Sequence, residues 1–330
     1  PTVVPPTEEA RVQTPIEALA QDAAEYAAFY QVPVLEAMLR LRAQEASVAA
    51  TDRIAATYHD RLAGISIQHR PVYRIVVLLT GDEPVAGEQI VAAGMTVPIE
   101  FHTGAGATRE AIVTAIQDHQ VEIRNRFPMV SGMGMDQVRG TLAVMVSPAG
   151  ADLYGREALT ADLAALTGVP VALRMLGESD ADMSVDGGAR LEGVERTDGR
   201  RYACTSGFVV TDAARTGVVT AAHCPYSLTY LDPAGGRIPL SFVGAWGARF
   251  QDVQVQESAE ALRPLFYSNT DKTVLRGLAS WRNRNSTRAG DFVCHRGERT
   301  GYSCAEVLMT AFAPAGDLCG GACLPTWVAV

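Results

Sequence analysis

The chain of 330 residues is poor in lysine, since Lys272 is its only one. Its formal net charge is -9, whereas phosphate binding requires clustered Lys and Arg, so the composition argues against a nucleic-acid partner. No apolar run approaches the roughly 18 residues that a membrane span requires. The opening "PTVVPPTEEARVQTP" lacks the charged start and apolar stretch of an export signal, and we expect any such signal to have been removed.

Cysteine is absent from residues 1–203, and six cysteines lie in the last third of the chain: Cys204, Cys224, Cys294, Cys304, Cys319 and Cys323. Their spacing contains no Cys-x-x-Cys pair and lacks the histidines that would complete a metal site. The pattern favours disulfides, and therefore an oxidising compartment, either secreted or periplasmic. We expect no metal or organic cofactor, and no acidic loop here indicates calcium.

The first part of the chain changes from a helical to a mixed pattern. Thr14, Pro15 and Glu17 predict a helix that runs from Pro15 to about Tyr30. Pro33 opens a second helix, and a third spans about Asp52 to Tyr58. Residues 1–63 are thus predicted as a helical arm. Residues 64–176 alternate strands ("GISIQH", "VYRIVVLL", "TVPIEFH", "GTLAVMVS", "VPVALRML") with two helices, as an α+β domain does.

The second part is predicted as an all-β domain. An acidic stretch of small residues, "GESDADMSVDGG", indicates a linker at 177–190. Residues 191–330 then show short β-rich runs between turn residues, as a barrel or sandwich does. Residues 1–190 carry 24 acidic and 14 basic side chains, which leaves 13 acidic and 14 basic for the remainder. The net charge is therefore -10 for residues 1–190 and +1 for the remainder, which predicts a weak attraction between the two parts.

The stretch "VVTAAHCPY", residues 218–226, places His223 directly before Cys224. A lone histidine is by default a partly buried ring bonded to a carbonyl, and the residues alone leave that interpretation open beside a catalytic one. A disulfide between Cys204 and Cys224 would hold the backbone beside His223. A general base needs such rigidity, because a small misplacement lowers the rate steeply.

Two longer motifs carry a resemblance to a known family. "CTSGFVVTDAARTGVVTAAHC" resembles the histidine segment of the chymotrypsin-fold serine proteases, in the secreted bacterial branch of α-lytic protease and the streptogrisins. "VCHRGERTGYSC", residues 293–304, resembles the disulfide-closed hairpin of that branch. The resemblance covers residues 187–330 and implies a double β-barrel. It also implies the disulfides Cys204–Cys224 and Cys294–Cys304, while Cys319 and Cys323 pair with each other or one of them pairs elsewhere.

In such an enzyme His223 accepts the proton of the nucleophile, and a buried aspartate holds its other ring nitrogen. Asp252 in "ARFQDVQVQ" lies 29 residues after His223 and precedes an alternating strand, so the resemblance assigns this role to Asp252. A surface aspartate at a strand start is the alternative interpretation of the same residue. Asp232 is typical of a turn and Asp271 lies in a polar loop, which makes both weaker candidates.

The nucleophile is not identified in the sequence. Gly-Asp-Ser-Gly-Gly and Gly-x-Ser-x-Gly are both absent. The nearest string, "GDLCGG" at 316–321, contains Cys319, but it has one residue too many and is typical of a cystine loop. We expect the serine and the oxyanion hole beside it to follow Val330, which makes a C-terminal fragment of the same protein a candidate partner. A cysteine hydrolase that uses Cys319 is a third hypothesis.

Proteases of this branch carry an N-terminal pro-region that helps the β-domain to fold and then blocks the active site. Residues 64–176, with the helices before them, resemble such a pro-region in element order. The expectation is therefore the zymogen of a secreted serine endopeptidase that acts on polypeptides, is inhibited by its own pro-region and is processed near 186–191. The alternative is a non-catalytic protease homologue that binds proteins.

Overall fold

The computed structural model describes residues 10–175, 188–195, 199–212, 215–232, 236–246, 252–260, 262–314 and 322–330. Strands are the most frequent element among these residues and form several sheets, and a helical region is present at the N-terminal side. The chain divides into two compact units. The first unit comprises residues 1–22, 183–281 and 294–304, and the second comprises 23–182, 282–293 and 305–330. This division differs from the boundary at 191, because the C-terminal strands join the second unit.

The first two helices lie where the local sequence predicts them, whereas the third begins at Val48 and not at about Asp52. The helices are α1 (Pro15–Tyr30), α2 (Val34–Ala46), α3 (Val48–Thr57), α4 (Arg109–Arg126), α5 (Pro148–Tyr154) and α6 (Arg156–Thr167). The backbone N–H of Thr14 donates to Glu17 at 2.8 Å and the N–H of Glu17 donates back to the Thr14 hydroxyl at 3.4 Å, which is a capping box. α6 ends at Gly168, whose φ of 69° lies in the left-handed region that glycine tolerates.

The second unit contains two sheets. Its strands are β2 (Leu62–Gln68), β3 (Arg74–Thr80), β4 (Glu88–Ala92), β5 (Met95–Ala105), β6 (Val130–Asp136), β7 (Thr141–Val146), β8 (Val171–Met175), β20 (Met309–Pro314) and β21 (Trp327–Ala329). One sheet has the order β2-β3-β5-β4, and the other has the order β21-β20-β6-β7-β8. The strands at 130–136 and 88–92 and the helix α5 are absent from the sequence-based description, whereas the other predicted elements of residues 15–175 are present.

Strand β6 pairs with a strand from the C-terminal part of the chain. β20 runs antiparallel to β6, with Thr310 opposite Met135 and Ala313 opposite Met133. A Cβ at Gly132 would lie 2.7 Å from the ring of Phe312, so the glycine allows this ring to pack against the β6 backbone. The sheet therefore joins residues of the predicted pro-region to residues of the predicted β-domain.

The first unit is built from short strands. They are β1 (Arg11–Val12), β9 (Ala189–Val194), β10 (Arg201–Ser206), β11 (Val209–Thr211), β12 (Thr216–Thr220), β13 (Leu228–Leu231), β14 (Arg237–Trp246), β15 (Val253–Ser258), β16 (Leu265–Tyr267), β17 (Val274–Gly277), β18 (Phe292–Gly297) and β19 (Gly301–Glu306). The last two form a hairpin. Seven of them form one sheet in the order β10-β9-β13-β14-β15-β12-β11. A three-stranded sheet has the order β1-β17-β16.

The seven-stranded sheet curls, although among the described residues no sheet closes into a barrel. Its outermost strands, β10 and β11, follow each other along the chain with only Gly207 and Phe208 between them. The N–H of Gly207 donates to the carbonyl of Val219 at 2.6 Å, which bends the chain toward β12. The expected double barrel is therefore not found among the described residues, where these strands form an antiparallel sheet whose ladder is interrupted at this bend.

The apolar core of the second unit lies between its sheets and helices. One cluster packs α4 and α6 against β6, β7 and β8 around Ile116, Phe127 and Met133. A second cluster packs α3 against β2, β3 and β5 around Ile54 and Ile75. No helix in the described part of the chain is both long and apolar enough to cross a membrane.

Candidate functional site

The loop that carries His223 follows the end of strand β12. β12 ends at Thr220, and the chain then turns so that the N–H of Cys224 donates to the carbonyl of Ala221 at 3.1 Å. The Thr220 hydroxyl donates to the carbonyl of Thr205 on β10 at 2.7 Å. The predicted disulfide joins Cys204 of β10 to Cys224 and is confirmed. The residue after His223 is therefore cross-linked to a neighbouring strand.

Strand register brings Asp252 beside this loop. β12 and β15 are antiparallel, with Thr220 opposite Gln254, so Asp252 at the start of β15 reaches the residues that follow Thr220. Asp252 Oδ2 lies 2.6 Å from His223 Nδ1, and Asp252 Oδ1 accepts the backbone N–H of His223 at 2.9 Å. Because an ionised carboxylate can only accept, Nδ1 carries the proton and donates it to Asp252.

The carboxylate and the imidazole differ in exposure. The Asp252 side chain is 2 % exposed and the His223 side chain is 43 % exposed. The hydrogen bond to Asp252 raises the pKa of His223, while partial burial of the ring acts in the opposite direction. A buried carboxylate thus stabilises the imidazolium form of a ring that solvent can reach, which is the electrostatic arrangement that a general base needs.

The second ring nitrogen of His223 differs from Nδ1 in its contacts. Within the part of the chain that the structure describes, no hydrogen-bond partner of Nε2 is found. A groove of about 240 Å³ adjoins the ring and is lined by Val194, Glu195, Ala222, Cys224 and Tyr226. The Tyr226 ring stacks on Phe242 with 4.3 Å between the ring centres. The groove therefore offers a concave surface with an aromatic wall beside the imidazole.

The other aspartates considered from the sequence lie elsewhere. Asp232 lines a separate cavity of about 150 Å³, together with Tyr230 and Tyr267. Asp271 is exposed. Among the three candidates, Asp252 is the one that contacts His223, as the sequence prediction requires of the orienting aspartate.

The remaining cysteines are partly described. The predicted Cys294–Cys304 disulfide is confirmed. Cys323 is buried and disulfide-bonded, while Cys319 and the string "GDLCGG" lie outside the described residues. Asp22 lies close to Cys294 and Cys304, but these two sulfurs are bonded to each other and offer no thiolate. This cluster therefore does not have the chemistry of a metal site.

Several polar residues that the sequence analysis did not single out have defined partners. Gln254 and Gln256 are fully buried on β15, and the Gln254 amide donates to backbone carbonyls of the His223 loop. On the hairpin β18–β19, Ser303 Oγ lies 3.2 Å from His295 Nε2, without a carboxylate in contact with that imidazole among the described residues. Two glutamines at i and i+2 just after Asp252 are a sequence signal that could have been noticed.

His69 in the second unit is held in a different way. It is 5 % exposed. The Tyr26 hydroxyl donates to its Nδ1 at 2.6 Å, and its Nε2–H donates to the carbonyl of Gly290 at 2.7 Å. Burial lowers the pKa of His69 to about 4, and the nearby Arg40 acts in the same direction. His69 is therefore a neutral ring that links three segments of this unit.

A search of protein-family models and a search of curated proteins both found no match to this chain.

Proposed function

We propose that this chain is the zymogen of a secreted serine endopeptidase of the chymotrypsin-fold type, with His223 as general base and Asp252 as its orienting carboxylate. The observation that carries the proposal is the 2.6 Å contact between His223 Nδ1 and the buried Asp252 carboxylate, in a histidine that lines a groove. The antiparallel seven-stranded sheet, whose two outermost strands follow each other along the chain, supports the assignment of this region to the first barrel of that fold. The two disulfides support an oxidising compartment.

The proposed chemistry follows from the two ring nitrogens. Nε2 takes the proton of the nucleophile's hydroxyl as that oxygen bonds to the scissile carbonyl carbon. Asp252 keeps Nδ1 protonated and stabilises the positive charge that forms on the ring. The ring then gives the same proton to the departing amine, and a water molecule repeats the sequence to release the acyl group. Asp252 accepts hydrogen bonds throughout and does not itself become protonated.

The nucleophile is a serine that the proposal assigns to polypeptide following Val330. Residues 1–330 contain no Gly-Asp-Ser-Gly-Gly string, and backbone N–H groups beside such a serine would form the oxyanion hole. The coding sequence beyond Val330 tests this directly. A serine in that signature supports the enzyme, and a different residue at its position contradicts it.

The N-terminal half is proposed as a folding aid and inhibitor of the β-domain. Strand β20, from the predicted β-domain, adds to a sheet whose other members β6, β7 and β8 belong to the predicted pro-region. A preformed sheet edge offers a template to a strand whose own pairings are distant in sequence, and such distant pairings fold slowly. The ladder between β20 and β6 is the observation that supports this role.

Hydrolysis of a labelled peptide library by the full encoded protein tests the activity. We expect cleavage that a serine-directed phosphonate abolishes and that His223→Ala also abolishes. The matched control is His295→Ala, which removes another exposed imidazole of the first unit that contacts Ser303 and no described carboxylate. Activity that survives His223→Ala, or that disappears equally in His295→Ala, would contradict the proposed role of His223.

A non-catalytic protein-binding homologue is the second candidate, and a substituted serine in the sequence after Val330 would favour it. This candidate predicts that the full encoded protein hydrolyses no peptide, and that it does not react with the phosphonate. A serine-specific covalent adduct, detected by intact mass, would exclude it.

A further inference from the structure

Two glutamine side chains lie on the buried face of strand β15, next to the loop that carries His223. Gln254 and Gln256 are both 0 % exposed, whereas Val253 between Asp252 and Gln254 is exposed. The apolar side chain thus faces solvent while the amides face inward, which is the reverse of a half-buried strand's usual arrangement. A buried amide is costly unless it is hydrogen-bonded, so the contacts of these glutamines need an explanation.

The Gln254 amide binds the backbone on both sides of His223. Its Nε2 donates to the carbonyl of Ala221 at 2.7 Å and to the carbonyl of Cys224 at 2.9 Å. Both amide protons are therefore used. The two acceptors are two residues before and one residue after His223, so this single side chain bridges the loop.

Gln256 sets the orientation of the Gln254 amide. The Nε2 of Gln256 donates to the Oε1 of Gln254 at 2.7 Å. If the Gln254 amide were reversed, its oxygen would face two backbone carbonyl oxygens and its NH2 would face another NH2. The hydrogen-bond network therefore fixes which end of the amide faces the loop.

The loop backbone is consequently held at three points that surround the imidazole. Gln254 holds the carbonyls of Ala221 and Cys224, and Asp252 holds the N–H of His223. Asp252 and Gln254 belong to the same stretch of chain. This one segment therefore positions both the carboxylate and the loop that carries the imidazole. We propose that Gln254 is a positioning residue that keeps the His223 imidazole in contact with Asp252; this inference rests on the peptidase function proposed above.

The disulfide alone does not set this geometry. The Cys204–Cys224 bond anchors the side chain of Cys224, and Thr220 anchors the other end of the loop through its hydroxyl. Between these anchors the loop is also held by the bonds from the Cys224 N–H to the carbonyl of Ala221 and from the His223 N–H to Asp252, and rotation of the remaining peptide planes would move the ring away from Asp252. The bonds from Gln254 remove that freedom, and a misplacement of about 1 Å can cost on the order of 100-fold in rate.

Titration of the His223 imidazole by NMR, in the full chain labelled at histidine, tests the inference without requiring activity. We expect Gln254→Met, which keeps the side chain's length and removes both donors, to bring the pKa of His223 down toward its ordinary value. The downfield resonance of the Nδ1 proton should weaken in the same variant. Where peptide hydrolysis is measurable, kcat should fall on the order of 100-fold with little change in KM.

Gln44→Met is the matched control. Gln44 is also a buried glutamine bonded to backbone, since its Nε2 donates to the carbonyl of Phe292 at 3.2 Å and its Oε1 accepts the N–H of Phe292 at 2.7 Å. It belongs to the second unit. We expect this variant to leave the titration of His223 unchanged, which separates positioning from a general loss of stability.

Two milder variants keep the inference testable if Gln254→Met does not fold. Gln256→Met leaves the bonds from Gln254 to the loop in place. It removes the donor to Gln254 Oε1 and also the bond from Gln256 Nε2 to the carbonyl of Tyr226 at 3.3 Å, so the pKa of His223 should shift in the same direction by a smaller amount. Gln254→Glu places a carboxyl against two carbonyl oxygens, and its protonation restores one donor. The Nδ1 proton resonance in this variant should recover as the pH falls.

The outcomes separate this inference from the proposed function. An altered His223 titration in the Gln254 and Gln256 variants supports positioning even if no peptide is cleaved. Unchanged titration in the folded variants overturns positioning, even if the wild-type protein is a peptidase that needs His223.

Discussion

The surroundings of His223 and of His69 show how differently two histidines can be held by contacts of the same length. Each Nδ1 lies 2.6 Å from an oxygen, but the oxygen is the Asp252 carboxylate in one case and the Tyr26 hydroxyl in the other. The carboxylate raises the pKa of His223, and burial lowers the pKa of His69 to about 4. One ring can accept a proton from a partner, while the other serves as a neutral connector.

Exposure of the ring completes the contrast. His69 is buried and its Nε2 donates to the carbonyl of Gly290, whereas the His223 side chain is 43 % exposed and lines a groove. A histidine therefore becomes a candidate base when a buried acceptor holds one nitrogen and solvent reaches the other. Counting hydrogen bonds or distances alone would not separate the two sites.

Asp252→Asn should have the largest effect, because it removes the negative charge of the group that contacts Nδ1 of His223, and this charge distinguishes that contact from the Tyr26 contact of His69. We expect kcat/KM of peptide hydrolysis to fall on the order of 10⁴-fold, since an amide does not stabilise the imidazolium and allows the wrong tautomer. The pKa of His223 should fall in the same variant. Steady-state kinetics with Asp271→Asn as the exposed control measures the effect, and near wild-type kinetics in Asp252→Asn would contradict the assignment.

Removing the disulfide beside His223 should have the second largest effect. The double change Cys204→Ala and Cys224→Ala opens a link between residues 20 apart, and should lower the free energy of unfolding by about 3 kcal/mol. Urea denaturation measures this change. The pair Cys294→Ala and Cys304→Ala, 10 residues apart, should cost slightly less and leave the His223 titration unchanged. If both double variants changed the His223 titration equally, the prediction that only the disulfide beside His223 affects this histidine would be contradicted.

Acid should lower the free energy of unfolding by a comparable amount through the titration of His69. Between pH 6.5 and about 4 the unfolded chain binds a proton at this residue that the folded protein does not. Stability contributed by the neutral ring is therefore present above pH 6.5 and lost as the pH falls, by about 3 kcal/mol below pH 4. Urea unfolding across this range, with His69→Gln as the non-titrating reference, measures it. A difference between the two proteins that does not change with pH would contradict the prediction.

Tyr26→Phe should have the smallest effect. It removes the hydroxyl that donates to His69 Nδ1 and leaves that nitrogen without this donor in a buried position, at a cost of about 1 kcal/mol. Chemical denaturation at neutral pH measures this loss, and the exposed Tyr226→Phe serves as a control. A Tyr26→Phe variant as stable as wild type would show that the hydroxyl does not stabilise the neutral ring.

Local signals were sufficient for much of the secondary structure. The Thr14–Glu17 capping box placed the start of the first helix, because capping depends on residues only a few positions apart. Strand β6 was missed because "VSGMGMD" lacks β-branched residues after its first position and contains two glycines. Its partner β20 lies about 180 residues further along the chain, and no local pattern reports such a pairing.

The candidate site was predicted in part. The histidine segment pointed to His223, and the spacing to an alternating strand pointed to Asp252, which the structure brings into contact. The alternation in "DVQVQ" revealed the strand but not which face is buried. Gln254 lies inward because the loop carbonyls of Ala221 and Cys224 need donors, and that requirement becomes visible only when the two segments are adjacent.

The ladder between β6 and β20 has a consequence for any cut in the region 177–190. The two pieces would share a sheet after the peptide bond between them is gone, so scission would not by itself mean separation. Under native conditions such a nicked molecule should migrate as one particle, and it should split into two bands only once denaturant dissolves the shared sheet.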